Sequence, residues 1–218
     1  MPFMGFWEYL ATNWGELLGY TLEHAALVVV GLALAVAVGV PLAVATYRTD
    51  LGRAAAVNGS SLIMTVPSYA LFGLLIPLLG LGWGPAVVAL MLYGLLPVVR
   101  NAIVGLRGVD PSVIESARGV GMDRTRLLLG VELPLAWPVV LAGVRVAAQL
   151  LLGIAAISAA VNGPGLGNLI LSGLSSAGTP FAIYLTVQGI AGIVVLAVLF
   201  DATIALLTRL TTSRGIRA

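Results

Sequence analysis

Five long apolar stretches separated by short polar segments make up most of the chain. They cover residues 25–47, 57–79, 85–104, 135–160 and 185–207. Each is long enough to cross a bilayer core as a helix, because the core is about 30 Å thick and a helix rises about 1.5 Å per residue. Pro67 and Pro77 interrupt the second stretch, and Pro97 lies inside the third. The pattern predicts an all-α polytopic membrane protein with five transmembrane helices in a single domain, residues 25–209.

The two ends of the chain have a different pattern. In residues 2–19, apolar side chains recur at helical spacing on one face, and Glu8, Asn13 and Glu16 occupy the other. Residues 1–24 are therefore predicted to be an external amphipathic segment at the membrane surface; the alternative is that they begin the first spanning helix. His24 is expected at the surface, and residues 210–218 form a polar, basic tail.

The segment from residue 108 to 134 is the longest interval between apolar stretches that carries charges of both signs. Asp110 is suited to cap a helix that starts at Pro111, where the missing N–H costs nothing. Gly121 can end that helix in a left-handed conformation, and Asp123 can cap a second one. Pro134 then begins the next apolar stretch. The segment is predicted to be two short helices joined at a glycine, outside the membrane.

Residues 161–184 are rich in glycine and serine and poorly suited to crossing a membrane. They are predicted to form an external re-entrant or gate loop at Gly163, Gly165 and Gly167; a flexible loop without function is the alternative.

Polar side chains near the prolines of the second and third stretches are candidates for lining a transport pathway. A proline frees a backbone carbonyl, which is tolerated where neighbours or a cavity satisfy it. The alternative is a packing kink whose nearby hydroxyl and amide groups are satisfied. The candidates are Pro67, Ser68, Tyr69, Tyr93 and Asn101.

Composition supports a membrane protein and excludes several other classes. Of 218 residues, 60% are apolar and 9% are charged, which is more apolar surface than a soluble domain of this size can bury. There is no cysteine, and a single histidine excludes a histidine-rich metal site. No Ser/His, paired-aspartate or metal-ligand arrangement indicates a catalytic site within the spans. The arginines flank or lie within apolar stretches, so the net charge of +2 indicates membrane topology rather than nucleic-acid binding.

The arginines fall on one side of the predicted membrane. Five spans place the 48–56 loop, the 108–134 segment and the C-terminus together, and ten of the eleven arginines belong to that side. They are Arg48, Arg53, Arg100, Arg107, Arg118, Arg124, Arg126, Arg209, Arg214 and Arg217. The excess of basic residues in cytoplasmic loops then predicts a cytoplasmic C-terminus and an external N-terminus, in the plasma membrane of a prokaryote.

Arg145, in the fourth predicted span, is the one arginine outside the cytoplasmic set, and Asp201, in the fifth, is the one acid inside a span. A charge in the membrane is costly unless it is paired or faces water. Both residues lie at similar depth on consecutive antiparallel helices, so they are predicted to form an ion pair that joins the two spans. Substrate gating is the alternative, since a quaternary ammonium could use an acid.

The 108–134 segment also carries a spaced motif. Glu115-Ser116-Ala117, Gly121, Val131 and Leu133-Pro134 resemble the signature loop of permease subunits of binding-protein-dependent ABC importers, in which EAA, G, I and LP recur at this spacing. Ser116 stands for alanine and Val131 for isoleucine. The resemblance implies that this loop docks in a groove of an ATPase subunit, with Glu115 and Arg118 as polar contacts.

Four further segments resemble the osmoprotectant permeases, which have a methionine-importer-like (type I ABC importer) permease core. They are Thr65-Val66-Pro67-Ser68, Leu96-Pro97-Val98-Val99-Arg100-Asn101, Val131-Glu132-Leu133-Pro134-Leu135-Ala136 and Gly163-Pro164-Gly165-Leu166-Gly167. The resemblance implies uptake of glycine betaine, choline, carnitine or proline betaine, with an external substrate-binding protein. Because the chain has few aromatic residues for a quaternary-ammonium cage, selectivity is expected to rest chiefly on that protein. The resemblance also implies a permease dimer, of two copies or of this chain and a similar one, and two cytoplasmic ATPase subunits.

The chain has no phosphate-binding G-x-x-x-x-G-K-[ST] loop, so ATP and magnesium are expected in the partner ATPase, and no cofactor or metal in this chain. The chain is therefore expected to be a non-enzymatic permease subunit. The alternatives are an importer permease for another small solute such as an amino acid, or a stand-alone channel or secondary carrier. The chain lacks the inverted repeat that is expected of a secondary carrier, and a channel or carrier function would leave the spaced loop motif unexplained.

Overall fold

The structure, a computed structural model, describes residues 5–212. Within that range the regular elements are all helical, as predicted. They are α1 (Phe6–Thr12), α2 (Trp14–Thr46), α3 (Asp50–Thr65), α4 (Ser68–Leu79), α5 (Trp83–Arg107), α6 (Pro111–Gly119), α7 (Arg124–Leu127), α8 (Leu133–Ile157), α9 (Gly167–Ser175) and α10 (Ala182–Thr211). A π-helical turn, Leu128–Glu132, joins α7 to α8, and a 3₁₀ turn, Ser158–Val161, follows α8.

Four described helices are long and apolar enough to cross a membrane, or five spans if the bent pair α3 and α4 counts as one. The second predicted span, 57–79, is therefore not a straight helix: α3 and α4 meet at an angle of 95°. The break falls at Val66 and Pro67, because the residue before a proline is driven into an extended conformation and proline has no N–H to donate. Pro77 and Pro97, by contrast, lie inside continuous helices.

The first spanning helix starts earlier than the sequence pattern indicated. Helix α2 begins at Trp14 rather than near Ala25, so residues 14–24 of the predicted surface segment belong to the spanning helix. Only α1 remains as a separate short helix, and residues 1–4 lie outside the described range. At the other end, α10 continues to Thr211, and residues 213–218 of the predicted tail are likewise outside it.

Helix α5 is the centre of the bundle, and α2 and α8 pack along it. Small residues let these helices approach closely. A Cβ added at Gly31 of α2 would lie 2.6 Å from the Leu90 Cβ of α5, and one at Gly143 of α8 would lie 2.5 Å from the Asn101 Cβ. One buried cluster gathers around Phe72, Leu90 and Leu151, and a second around Val99, Leu106 and Val140.

The glycine-rich loop after α8 is a buried, packed element, which contradicts the alternative of a flexible loop. Residues 163–167 are all buried. Gly165 has a φ of +103°, its backbone N–H donates to the Glu23 carboxylate at 3.2 Å, and an added Cβ would lie 2.7 Å from the His24 Cβ. His24 itself is fully buried, contrary to the expected surface position, and its Nε2 lies 3.1 Å from the Leu152 carbonyl oxygen. The loop thus joins α2 to α8.

Replacing Gly167 by alanine should destabilise the protein by about 1–3 kcal/mol, the usual cost of overpacking a tight interior. The added Cβ would lie 2.1 Å from the Ala156 carbonyl oxygen, so backbone must shift. Gly153→Ala in α8 is the matched control, because nothing lies within 4 Å of its added Cβ. Thermal unfolding of the purified proteins in detergent checks this; equal midpoints for the two variants would contradict the packing of the loop.

Candidate functional site

The first of two short helices outside the long helices is α6, and its start is capped as the sequence predicted. The Asp110 carboxylate accepts from the backbone N–H of Ser112 at 2.8 Å, and Pro111 is the first helical residue. That backbone hydrogen bond holds the pKa of Asp110 below its ordinary value. Because a lowered pKa favours the charged form, the cap is present above the ordinary pKa of aspartate and is lost as pH falls through the lowered one.

A single left-handed glycine links α6 to α7. Gly121 has a φ of +86°, and its N–H donates to the Arg118 carbonyl oxygen at 2.9 Å. Asp123 then caps the next helix, accepting from the backbone N–H groups of Thr125 and Arg126, both at 2.9 Å. The predicted arrangement of two capped helices joined at a glycine is therefore what the structure contains.

The surface of α6 presents polar and apolar side chains side by side. Glu115, Ser116 and Arg118 are exposed, whereas Ala117 is buried. Val120, next to the linking glycine, is an apolar side chain that is 78% exposed. Of the residues expected to contact a partner, the charged Glu115 and Arg118 are thus accessible, whereas Ala117 packs against the protein.

The C-terminal half of the motif is part of one continuous helical segment rather than a fresh start at Pro134. Helix α7 runs through the π-helical turn containing Val131 directly into α8 at Leu133. Pro134 has no N–H to pair with a preceding carbonyl, and a π-helical turn is one way for a helix to absorb such a missing bond. Helix α7 and the spanning helix α8 are thereby joined without an intervening loop.

A buried glutamate fixes this turn to the end of α2, a contact that the sequence analysis missed. The Glu132 side chain is 5% exposed, and its Oε2 accepts from the Tyr47 hydroxyl at 2.6 Å and from the Arg48 guanidinium at 3.1 Å. Arg48 Nε also donates to the Tyr47 oxygen at 2.6 Å. The sequence signal that could have indicated this contact is an acidic residue, Glu132, among the apolar residues of the motif.

The predicted pathway residues are divided between two clefts and the protein interior. Tyr69 and Gly167 line a cleft of about 190 Å³. Asn101 and Pro97 line another, of about 480 Å³. The prediction that Tyr93 lines the pathway is wrong, because its side chain is buried, with 4% exposed, and its hydroxyl donates to the Val66 carbonyl oxygen at 2.6 Å. It satisfies the carbonyl that the helix break frees. Ser68 is the first residue of α4, and Gly163 and Gly165 are packed in the buried loop.

Arg145 and Asp201 form an ion pair between α8 and α10. Arg145 Nε and Nη2 donate to the two oxygens of the Asp201 carboxylate, a two-point contact that also fixes orientation. Gln149 adds a second link one helical turn away, donating to the Ala197 carbonyl oxygen at 3.2 Å. The pair joins the fourth span to the fifth.

Reversing either charge of this pair should lower the unfolding midpoint and the yield of folded protein, because a charge among apolar helices is then left without its partner. The double variant R145D/D201R should restore most of the loss. Size-exclusion yield and thermal unfolding in detergent measure both effects. A double variant no better than the worse single variant would show that the pair does not hold these helices together.

No cluster of three or more potential metal-ligating side chains occurs between residues 5 and 212.

Comparison with known proteins shows which family the chain resembles. Residues 13–213 match the family described as "Binding-protein-dependent transport system inner membrane component". The chain is 36% identical over 209 residues to the glycine betaine/carnitine/choline transport system permease protein OpuCB of Bacillus subtilis, covering 96% of this chain and 94% of that one. It is 38% identical over 215 residues to the osmoprotectant import permease protein OsmW of Salmonella typhimurium, covering 96% and 98%.

Solved structures show the same fold. The methionine ABC transporter MetNI in an inward-facing conformation superposes with a TM-score of 0.79 at 20% identity, covering 90% of this chain and 96% of the transporter chain. An amino acid ABC transporter solved with histidines superposes with a TM-score of 0.74 at 18% identity, covering 92% and 96%. The all-helical bundle, the exposed helix pair and the extent of the match lead to one assignment: the chain belongs to the family of binding-protein-dependent transport system inner membrane components, with the methionine-importer-like permease fold.

Proposed function

We propose that this chain is the permease subunit of an ATP-driven importer for a compatible solute such as glycine betaine, choline, carnitine or proline betaine. The proposal draws the substrate class from the full-length similarity to permeases of osmoprotectant systems. The observation that carries the mechanism is the exposed, doubly capped helix pair α6–α7, joined without a break to α8.

The helix pair is the surface on which a cytoplasmic ATPase subunit docks. Glu115 and Arg118 supply polar contacts, and Val120 supplies an exposed apolar contact. When the ATPases move, α7 and the π-helical turn transmit the displacement to α8, and the Glu132 contacts transmit it to α2. Movement of these spans against the rest of the bundle gives alternating access to the solute.

The assembly contains more than this chain. A second permease, identical or similar, completes the transmembrane pathway, and two ATPase subunits bind ATP and magnesium. An external binding protein delivers the solute and supplies most of the selectivity. The α6–α7 side lies in the cytoplasm of a prokaryotic cell and the N-terminus lies outside, an orientation that the excess of arginines on the α6–α7 side supports.

The test is purification followed by reconstitution. An ATPase should co-purify with the affinity-tagged chain, and vesicles holding the complex and its binding protein should accumulate a labelled compatible solute only with ATP. Uptake of glycine betaine without an ATPase would instead support a stand-alone carrier. ATP-driven uptake of an amino acid but of no compatible solute would move the proposal to another substrate class.

A further inference from the structure

We infer that Arg100 forms a carboxylate-binding site in the groove between α3, α5 and α8, and that this site favours zwitterionic solutes over cationic ones. The inference rests on the proposed function and deepens it. The groove has a volume of about 480 Å³, within the range of small-molecule sites. Its lining includes Met64 of α3, Arg100 and Asn101 of α5, and Val146 and Leu150 of α8.

Arg100, counted above with the cytoplasmic arginines, lies inside the spanning helix α5. Helix α5 ends at Arg107, so Arg100 lies two turns before the end, about 10 Å at 1.5 Å per residue. Its side chain is exposed, and it forms no hydrogen bond or ion pair with any residue from 5 to 212. Arg107 and Arg145, the other arginines of α5 and α8, are both paired with aspartates.

A charged side chain at membrane depth requires a partner or a water-filled space. Arg100 has the space, because it lines the groove, and the missing partner is an anion. A guanidinium holds a carboxylate through two parallel hydrogen bonds, which makes it selective for that group. The amide of Asn101 lies in the same lining, where its Nδ2 donates to the Pro97 carbonyl oxygen at 2.8 Å.

The remainder of the groove suits the other end of such a solute. Met64, Val146 and Leu150 supply apolar walls for a methylated ammonium, whose charge is spread beneath methyl groups. Met64 also lies just before the break between α3 and α4, and interrupted helices at membrane depth occur where they are buried in protein or line a cavity. Glycine betaine and carnitine carry a carboxylate, whereas choline does not, and the guanidinium repels its cation.

The experiment measures uptake of labelled glycine betaine and of labelled choline by the reconstituted complex, with wild-type chain, Arg100→Gln and Arg100→Lys. In Arg100→Gln, the KM for glycine betaine should rise by about tenfold, the scale of a lost charge-assisted hydrogen bond, while choline uptake is unchanged or increases. Arg100→Lys should fall between the two, because lysine keeps the charge but not the two-point geometry. Arg107→Gln is the matched control and should leave the ratio of the two uptakes unchanged.

Other outcomes overturn the inference. Equal loss of both solutes, or loss of the permease dimer in Arg100→Gln, would mean that Arg100 pairs with a lipid or with the second permease. An unchanged ratio with normal uptake would mean that it binds no solute. If the wild-type complex accumulates neither solute under ATP, the proposed function itself fails, and the two failures are thereby distinguished.

Discussion

Replacing Gly121 by proline should abolish ATP-driven uptake while the ATPase subunits continue to hydrolyse ATP. The φ of +86° at this position is inaccessible to proline, and the N–H that donates to the Arg118 carbonyl oxygen is lost. The cost is about 3 kcal/mol, or roughly a hundredfold in the population of the intact link. The two helices of the pair would then no longer hold a fixed angle, so ATPase movement would not reach α8.

The control for this variant lies two residues away. Gly119 is the last residue of α6, has no positive φ and has nothing within 4 Å of an added Cβ. Gly119→Ala should therefore leave uptake intact. Measured together, uptake and ATP hydrolysis in vesicles separate loss of coupling from loss of assembly. Normal uptake in Gly121→Pro would contradict the coupling role proposed for the glycine between α6 and α7.

A charge reversal tests docking without disturbing the fold. Glu115 is exposed on α6, so Glu115→Arg should leave the unfolding midpoint unchanged but reduce uptake and the amount of co-purified ATPase. Glu8 is an exposed glutamate of α1, which the proposed orientation puts on the other side of the membrane, so Glu8→Arg should change neither. Identical behaviour of the two variants would mean that α6 is a solvated surface with no partner.

Replacing Glu132 by leucine should destabilise the protein by about 2–3 kcal/mol, because the buried Tyr47 hydroxyl and the Arg48 guanidinium lose their common acceptor. Glu132→Gln should cost about half as much, since an amide oxygen still accepts from Tyr47 but no longer attracts the arginine. Tyr47→Phe removes the hydroxyl bond alone. Denaturant or thermal unfolding of the purified chain gives these differences directly.

The double variant Tyr47→Phe/Glu132→Gln completes a cycle with the two single variants. A coupling energy of about 0.5–3 kcal/mol is expected for groups in direct contact. Additive effects would contradict the cluster. Because the cluster ties α2 to the turn that follows α7, Glu132→Leu should also lower uptake per ATP hydrolysed, with the amount of bound ATPase unchanged.

Features that depend on residues within about one helical turn could be predicted from the sequence alone. Helix capping at Asp110 and Asp123 depends on residues within a turn of each cap, and the left-handed link needs only a glycine at position 121. Apolar length likewise indicates spanning helices, but the prolines alone did not show where a helix breaks, because Pro67 separates α3 from α4 whereas Pro77 and Pro97 lie inside continuous helices. The pairing of Arg145 with Asp201 could be anticipated because depth along antiparallel helices follows from residue counting.

The contacts between polar groups across the bundle could not be predicted in this way, because they depend on which helices pack together. His24 was expected at the surface, yet helix packing buries it, as it buries Glu132, and their partners come from α8 and from the end of α2. The glycines of the 163–167 loop indicate flexibility locally, but close contact with α2 and α8 holds them rigid. Arg100 was counted with the cytoplasmic arginines, and only the packing of α3, α5 and α8 shows that it lines a groove. Local rules act over one helical turn, whereas burial depends on which helices pack together, and this is why these positions required the fold.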